Sequence, residues 1–142
     1  MEEYTLRKIT GGILLTILLL TIIFRYQFNG GEYLQAVGYI IGAIGVIILI
    51  MGIMTLGKYF TTSINPKGLV THGIYSKIRH PVFIGVILVY LGIELIFQSI
   101  YGLLLVIFVL VPFYIYSAIE EEKILAEKFK DKYTAYKKKT LF

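Results

Sequence analysis

Three groups of polar residues stand out in an otherwise apolar chain: Arg79-His80 before Pro81, the run Glu120-Glu121-Glu122, and the isolated Glu94. Each has a chemistry. Pro81 suits the first turn of a helix, where its missing N–H costs nothing. His80, before the proline, is pushed out of helical backbone. The free N–H groups of such a helix start attract anions, and Arg79 adds a fixed charge. The glutamates can accept hydrogen bonds from hydroxyls, hold a cation, or take a proton. A plainer reading stands beside this one. Arg79 and His80 would merely flank an apolar helix, and the glutamates would be solvated and paired with nearby lysines. An ionisable residue inside an apolar segment is a functional candidate by default. Glu94, however, lies about one turn from Gln98, near the outer surface. It is expected to be solvated or hydrogen-bonded there.

These residues must be positioned by a membrane protein. Of 142 residues, 57% are hydrophobic and only 16% charged. A soluble domain carries about 25% charged residues, and a chain this small cannot hide so much apolar surface. An ordinary soluble domain, a disordered tail and a collagen-like fibre are excluded. There are no cysteines, which excludes disulfides, thiolate metal sites and cysteine nucleophiles; no metal is expected. Four apolar segments, 9–24, 33–56, 82–97 and 100–119, compare with the about 20 residues that a spanning helix needs. The first and third are slightly short and are expected to extend into their flanks or lie in thinned bilayer. Arg7 and Lys8 precede the first as in a signal peptide, but no A-x-A-like site follows, so it is read as an uncleaved anchor. Gln98-Ser99 predicts a tight turn in a helical hairpin.

The cations orient the chain. With four spans, the N-terminus, the loop 57–81 and the tail 120–142 share one side. All 14 Lys and Arg except Arg25 fall there, which marks that side, with both termini, as cytoplasmic. The net charge of +5 therefore points to a membrane surface rather than nucleic acid. Leu125, Phe129, Tyr133 and Tyr136 have helical spacing. With a Lys-rich opposite face they predict an amphipathic tail helix on anionic lipid. Gly38 and Gly42, with Gly45 and Gly52 a heptad apart, permit close helix approach. Packing within the chain is the first reading, a homodimer through the second helix the alternative. Pro112 is expected to kink the fourth helix. The expected fold is one all-α integral membrane domain over 1–142, with about four transmembrane helices, a C-terminal hairpin and a cytoplasmic tail helix.

The stretch Leu69-Val70-Thr71-His72-Gly73-Ile74-Tyr75, then Arg79-His80-Pro81-Val82-Phe83-Ile84-Gly85, resembles the signature of isoprenylcysteine carboxyl methyltransferases and related membrane phospholipid methyltransferases. Its second half matches Glu121-Glu122-Lys123-Ile124-Leu125 with Phe129, Tyr133 and Tyr136, after a hairpin. The resemblance covers about 65–139, just over half the chain. It implies S-adenosyl-L-methionine as methyl donor, bound on the cytoplasmic side between hairpin and tail. By resemblance Lys67, Gly68, Leu69, Val70 and Tyr75 line that cofactor. His80, Pro81, Val82 and Phe83 form a second wall, and Glu121 a third. Arg79 would structure the loop or aid binding, and Glu121 or Glu122 would be the base for an amine or thiol acceptor. Three positions depart from the family. Lys67 stands where His is frequent, Phe83 where Tyr is usual, and Ser117 where the isoprenylcysteine enzymes carry an Arg before the key Glu. That Arg would hold a substrate carboxylate.

The function expected is methyl transfer to a lipophilic or prenylated acceptor arriving from the bilayer, with the carboxylate of an isoprenylcysteine-like molecule placed first. A carboxylate is ionised near pH 7 and needs no base; proximity and orientation carry the catalysis. The alternatives are an N- or S-methyltransferase acting on phospholipid or another small molecule, a family relative with different chemistry, and a non-enzymatic scaffold subunit.

Overall fold

The computed structural model describes residues 3–60 and 66–141, and the regular elements there are all helices. Residues 61–65 of the expected loop lie outside the described residues. The elements are α1 (Glu3–Ile23), α2 (Gly31–Leu56), α3 (Pro81–Phe97), α4 (Ile100–Leu105) and α5 (Val111–Lys137). Single 3-10 turns, Gly57–Tyr59 and Gly73–Ser76, sit in the loop between α2 and α3. A π turn, Val106–Leu110, joins α4 to α5. Two stretches are long and apolar enough to cross a membrane, Gly31–Tyr59 and Ile100–Lys137, and two apolar helices are shorter, Lys8–Ile23 and Pro81–Phe97.

Glycine brings α2 and α3 together along their length. A Cβ on Gly45 would lie 2.7 Å from the Val89 nitrogen, and one on Gly92 2.6 Å from the Gly42 nitrogen. Both are closer than real Cβ contacts, so only hydrogen fits between these backbones. The small-residue face of α2 is therefore used within the chain, as the first reading held. On the other side of α3, Ile17, Val106, Leu110 and Tyr114 form a core with Phe83 and Tyr90 packed against it.

The turn at Gln98-Ser99 forms as expected. Gln98 is left-handed (φ 53°) and Ser99 caps α4 by accepting from the Gly102 amide. The Gln98 side chain also ties this turn to the loop before α2, contacting the Gly30 amide and the Gly31 carbonyl. The Pro112 expectation takes a particular form. Its ring crowds the carbonyl four residues earlier, that of Phe108, and the helix widens into the π turn there.

Glu94 departs from expectation in one respect. It is hydrogen-bonded, to Thr21 Oγ1 at 2.6 Å, but it is 0% exposed and does not reach water. α1 covers it with Thr21, and the absence of a side chain at Gly102 lets α4 close over it. The spacing to Gln98 located the end of α3 correctly and could not show that α1 crosses there.

Candidate functional site

The chemistry-bearing residues of the loop and of α5 come together at one end of the bundle. His80 ends the loop with extended φ (−123°) and precedes Pro81 as the cap of α3. Its carbonyl accepts from the Ile84 amide, which begins the helix, as the residue before a proline should. The imidazole is then aimed by stacking on Phe83, with centroids 5.4 Å apart and planes 7° apart. Phe83 in turn leans on Tyr114 of α5. Nδ1 of His80 lies 3.5 Å from Glu121 Oε2 and Nε2 lies 3.4 Å from Glu122 Oε1. Consecutive glutamates on one helix thus bracket one imidazole.

Arg79 closes the other side. Its Nε donates to Glu122 Oε1 at 2.7 Å. Its Nη1 contacts Thr140 Oγ1 at 3.1 Å, with the carbonyls of Thr140 and Lys137 at 3.4 and 3.5 Å. Lys137 Nζ reaches Glu122 Oε2 at 2.6 Å. Burial by itself would raise the Glu122 carboxyl, but hydrogen bonds and charge from Lys137 and Arg79 outweigh it and hold it down at about 2. Glu122 is accordingly a fixed anion.

α5 carries the site because it bends. Lys130 has φ 43° and ψ −118°, a left-handed break that divides the tail into two limbs. Across the bend, Leu125, Tyr133 and Tyr136 form a second small core with Leu69 and Phe129. The apolar tail spacing therefore packs onto the loop. The Tyr136 hydroxyl donates to the Tyr75 carbonyl at 2.7 Å, and the Leu141 amide donates to the Lys77 carbonyl at 3.0 Å. Burial first, then the Glu121 charge, pushes the Tyr75 phenol well above its usual range.

A cavity of about 50 Å³ opens between loop and tail. Of the residues anticipated as lining a cofactor, Gly68, Leu69, Val70, Tyr75, His80 and Glu121 line it, and so does Arg79. Lys67 is exposed beside it. Pro81 and Val82 turn away and pack against Gly52 of α2. Phe83 stands behind His80, and Glu122 behind Arg79 and His80. Sequence reasoning gave no site role to Leu56, Tyr59, Tyr133 or Tyr136, which also line the cavity. For Tyr133 and Tyr136 the signal was their place in the second half of the motif. The Tyr133 hydroxyl is buried near the Glu122 carboxylate; burial first, then the Glu122 charge, pushes its phenol well above the usual range.

The arrangement offers a carboxylate (Glu121), an imidazole, a buried tyrosine hydroxyl (Tyr133), and apolar walls (Leu56, Leu69, Val70, Leu125). Such a set suits a ligand that is polar at one end and flat or apolar at the other. The family model for phospholipid methyltransferases matches residues 31–132, more than two thirds of the chain. No curated protein matches it.

Proposed function

The chain belongs to the phospholipid methyltransferase family, and we propose that it uses S-adenosylmethionine to methylate a lipophilic acceptor at the cytoplasmic face of a membrane. Family membership and the apolar helices make it a membrane methyltransferase. In the proposed topology, four spans place both termini, the loop and the tail on the cytoplasmic side. That side holds every Lys and Arg except Arg25.

The donor supplies an electrophilic methyl group on a sulfonium. The observation that carries the proposal is the meeting of His80 and Glu121 beside the cavity lined by Gly68, Leu69, Val70 and Tyr75. These residues fit the donor's chemistry. Glu121 accepts from ribose hydroxyls or an ammonium group. Leu56, Leu69, Val70 and Leu125 offer apolar walls for a base, and tyrosine faces can meet the sulfonium cation. The cavity is far below the about 300–1,000 Å³ of ligand sites, so the tail limb must move outward for binding.

A carboxylate acceptor of the isoprenylcysteine type needs a cation to hold it. Arg79 is committed to Glu122 and Thr140. Ser117, at the position of the family arginine, is buried and donates to the Phe113 carbonyl. Both observations favour the amine of a phospholipid headgroup as acceptor over an isoprenylcysteine-like carboxylate. An amine must lose a proton before or during transfer. Glu122, held ionised by two cations, is a weak base; Glu121, which faces the cavity, is the group placed to accept it.

Calorimetry with S-adenosylhomocysteine tests the donor. Binding is expected for the purified protein and for Glu94→Ala, and loss for His80→Ala and Glu121→Ala. No binding by the folded wild type refutes the reading. Labelled methyl transfer into a lipid extract then identifies the acceptor. Label in the amine headgroup fraction supports the phospholipid reading, and label in a base-labile methyl ester supports the isoprenylcysteine type.

A further inference from the structure

We infer that Tyr59 is a further donor-binding residue, whose ring stacks on the purine base of S-adenosylmethionine. The inference rests on the methyl-donor reading above and assigns one part of that site. Tyr59 lies ahead of the paired motif, which begins near residue 65. As the last residue of the apolar stretch Gly31–Tyr59, it would also suit an ordinary interfacial tyrosine. Three observations give it a role in the cavity.

The first is placement. α2 ends at Leu56, and Gly57 turns the chain with φ 49°, a conformation glycine adopts without steric cost. The Phe60 amide then donates to the Gly57 carbonyl at 3.1 Å. This turn brings both Leu56 and Tyr59 to the cavity. The second is the seat of the ring. A Cβ on Gly68 would lie 2.7 Å from both Cδ1 and Cε1 of Tyr59. One ring edge therefore rests on loop backbone that admits no side chain, which fixes the ring while leaving a face for a ligand. Lys58, exposed beside it, holds its ammonium 5.3 Å from the ring centroid. A sulfonium at this ring would meet that ammonium as a like charge. A neutral purine would not.

The third is exposure. Tyr75, Tyr133 and Tyr136 also line the cavity but are at most 8% exposed, whereas Tyr59 is 38% exposed. The three are packed into the wall, and the Tyr136 hydroxyl is spent on the Tyr75 carbonyl. Tyr59 is the cavity tyrosine with ring surface to give. Its neighbours suit a base. The charged lining, Arg79, His80 and Glu121, comes from the start of α3 and from α5. The apolar lining beside Tyr59 comes from the end of α2 and from residues 66–70. A donor with a flat purine at one end and a charged amino acid at the other matches these two kinds of wall. The α2 wall is also anchored, because glycine seams α2 to α3. It stays in place when the tail limb moves outward.

The test is ligand binding to the full chain in detergent. Binding of S-adenosylhomocysteine by wild type decides the donor reading, and its absence ends that reading and this inference together. Given that binding, Tyr59→Leu should lower the affinity about tenfold, the scale of one base stacked on one aromatic ring. Tyr59→Phe keeps the ring and should stay within about twofold of wild type. Loss in Tyr59→Phe equal to that in Tyr59→Leu would assign the effect to the hydroxyl and overturns the stacking. S-Adenosylmethionine should lose affinity in Tyr59→Leu by the same factor, since both ligands carry the base. A larger loss for S-adenosylmethionine would put the ring at the sulfonium and overturns the base assignment. The chain has no tryptophan, so Tyr59→Trp supplies a single reporter and serves if Tyr59→Leu fails to fold. Its fluorescence should be quenched by saturating S-adenosylhomocysteine. Tyr39→Trp, at a position of α2 that is 62% exposed, should not respond. Equal quenching at both positions overturns the inference. Unchanged affinity in Tyr59→Leu, or no quenching at position 59, overturns it and leaves the donor reading standing.

Discussion

Arg79 Nε donates to Glu122 Oε1 at 2.7 Å, joining the last loop residue but one to α5 across 43 positions of chain. Both side chains are mostly buried, 16% and 18% exposed. The same guanidinium holds Thr140, so one residue fixes loop, helix and tail limb. Arg79→Ala should destabilise the protein by about 2–3 kcal/mol, because a hydrogen bond between charged groups is lost and Glu122 keeps fewer partners. Arg79→Lys should recover only part of this, since an ammonium cannot span Glu122 and Thr140 as a planar fork does. Thermal unfolding in detergent measures both. Stability of Arg79→Ala equal to wild type would show that the contact carries no weight.

Glu122 makes this cluster sensitive to acid. Its carboxyl lies at about 2 against an ordinary 4.5. A group depressed in the folded state contributes stability above its unfolded value and loses it as pH falls. Wild type should therefore lose stability progressively between pH 4.5 and about 2. Glu122→Gln should start less stable at neutral pH and show a flatter profile through that window. Melting temperature against pH decides it; parallel curves for the two proteins would contradict the assignment.

The helices were legible because long apolar runs and proline and glycine punctuation are local signals. Pro81 opens α3 and Gln98-Ser99 closes it, as their chemistry requires. The meeting of Arg79 and His80 with Glu121 and Glu122 was legible only through the paired motif, because nothing local joins residues so far apart. The break at Lys130 was not legible. Glycine or asparagine would have marked a left-handed residue, and lysine does not. The tail's 4, 4, 3 spacing reads as one helix, yet Leu125 and Tyr133 come from two limbs folded over Leu69. Glu94 likewise carries no mark of the crossing by α1 that seals it from water.

The α2–α3 seam predicts intolerance at glycine. A side chain at Gly45 meets the α3 backbone at once. Gly45→Leu should cost about 1–3 kcal/mol by overpacking, or more if the helices separate. Gly11, with open space around it, is the control, and Gly11→Leu should be near neutral. Unfolding measurements on the pair would discredit the seam if the two were equally tolerated.

Binding of the cofactor analogue should be visible in the tail limb. The cavity of about 50 Å³ must enlarge, and the limb beyond Lys130 is held to the rest by Tyr136 to Tyr75, Leu141 to Lys77, Lys137 to Glu122, the Arg79 contacts and the small core of Tyr133 and Tyr136 on Leu125 and Leu69. Amide exchange in 131–141 should be faster than in 111–125 without ligand, and should slow on addition of S-adenosylhomocysteine. Bound analogue with unaltered exchange in 131–141 would place the entrance elsewhere.

Glu94 should tolerate only a replacement that can still donate. Thr21 Oγ1 lies 2.7 Å from the Ile17 carbonyl and 2.6 Å from Glu94 Oε1. A hydroxyl has one proton, so one of these two contacts must use a proton on Glu94. Donation from Glu94 to Thr21, and from Thr21 to Ile17, satisfies both. Glu94→Gln preserves a donor of nearly the same shape and should change stability by less than about 1 kcal/mol. Glu94→Ala leaves Thr21 without its partner and a void beside Gly102, and should cost about 1–3 kcal/mol. Neither should alter binding at the His80–Glu121 cavity, which lies at the opposite end of α3. Thermal unfolding of the two variants tests this, and Gln as damaging as Ala would mean that Glu94 acts through its charge.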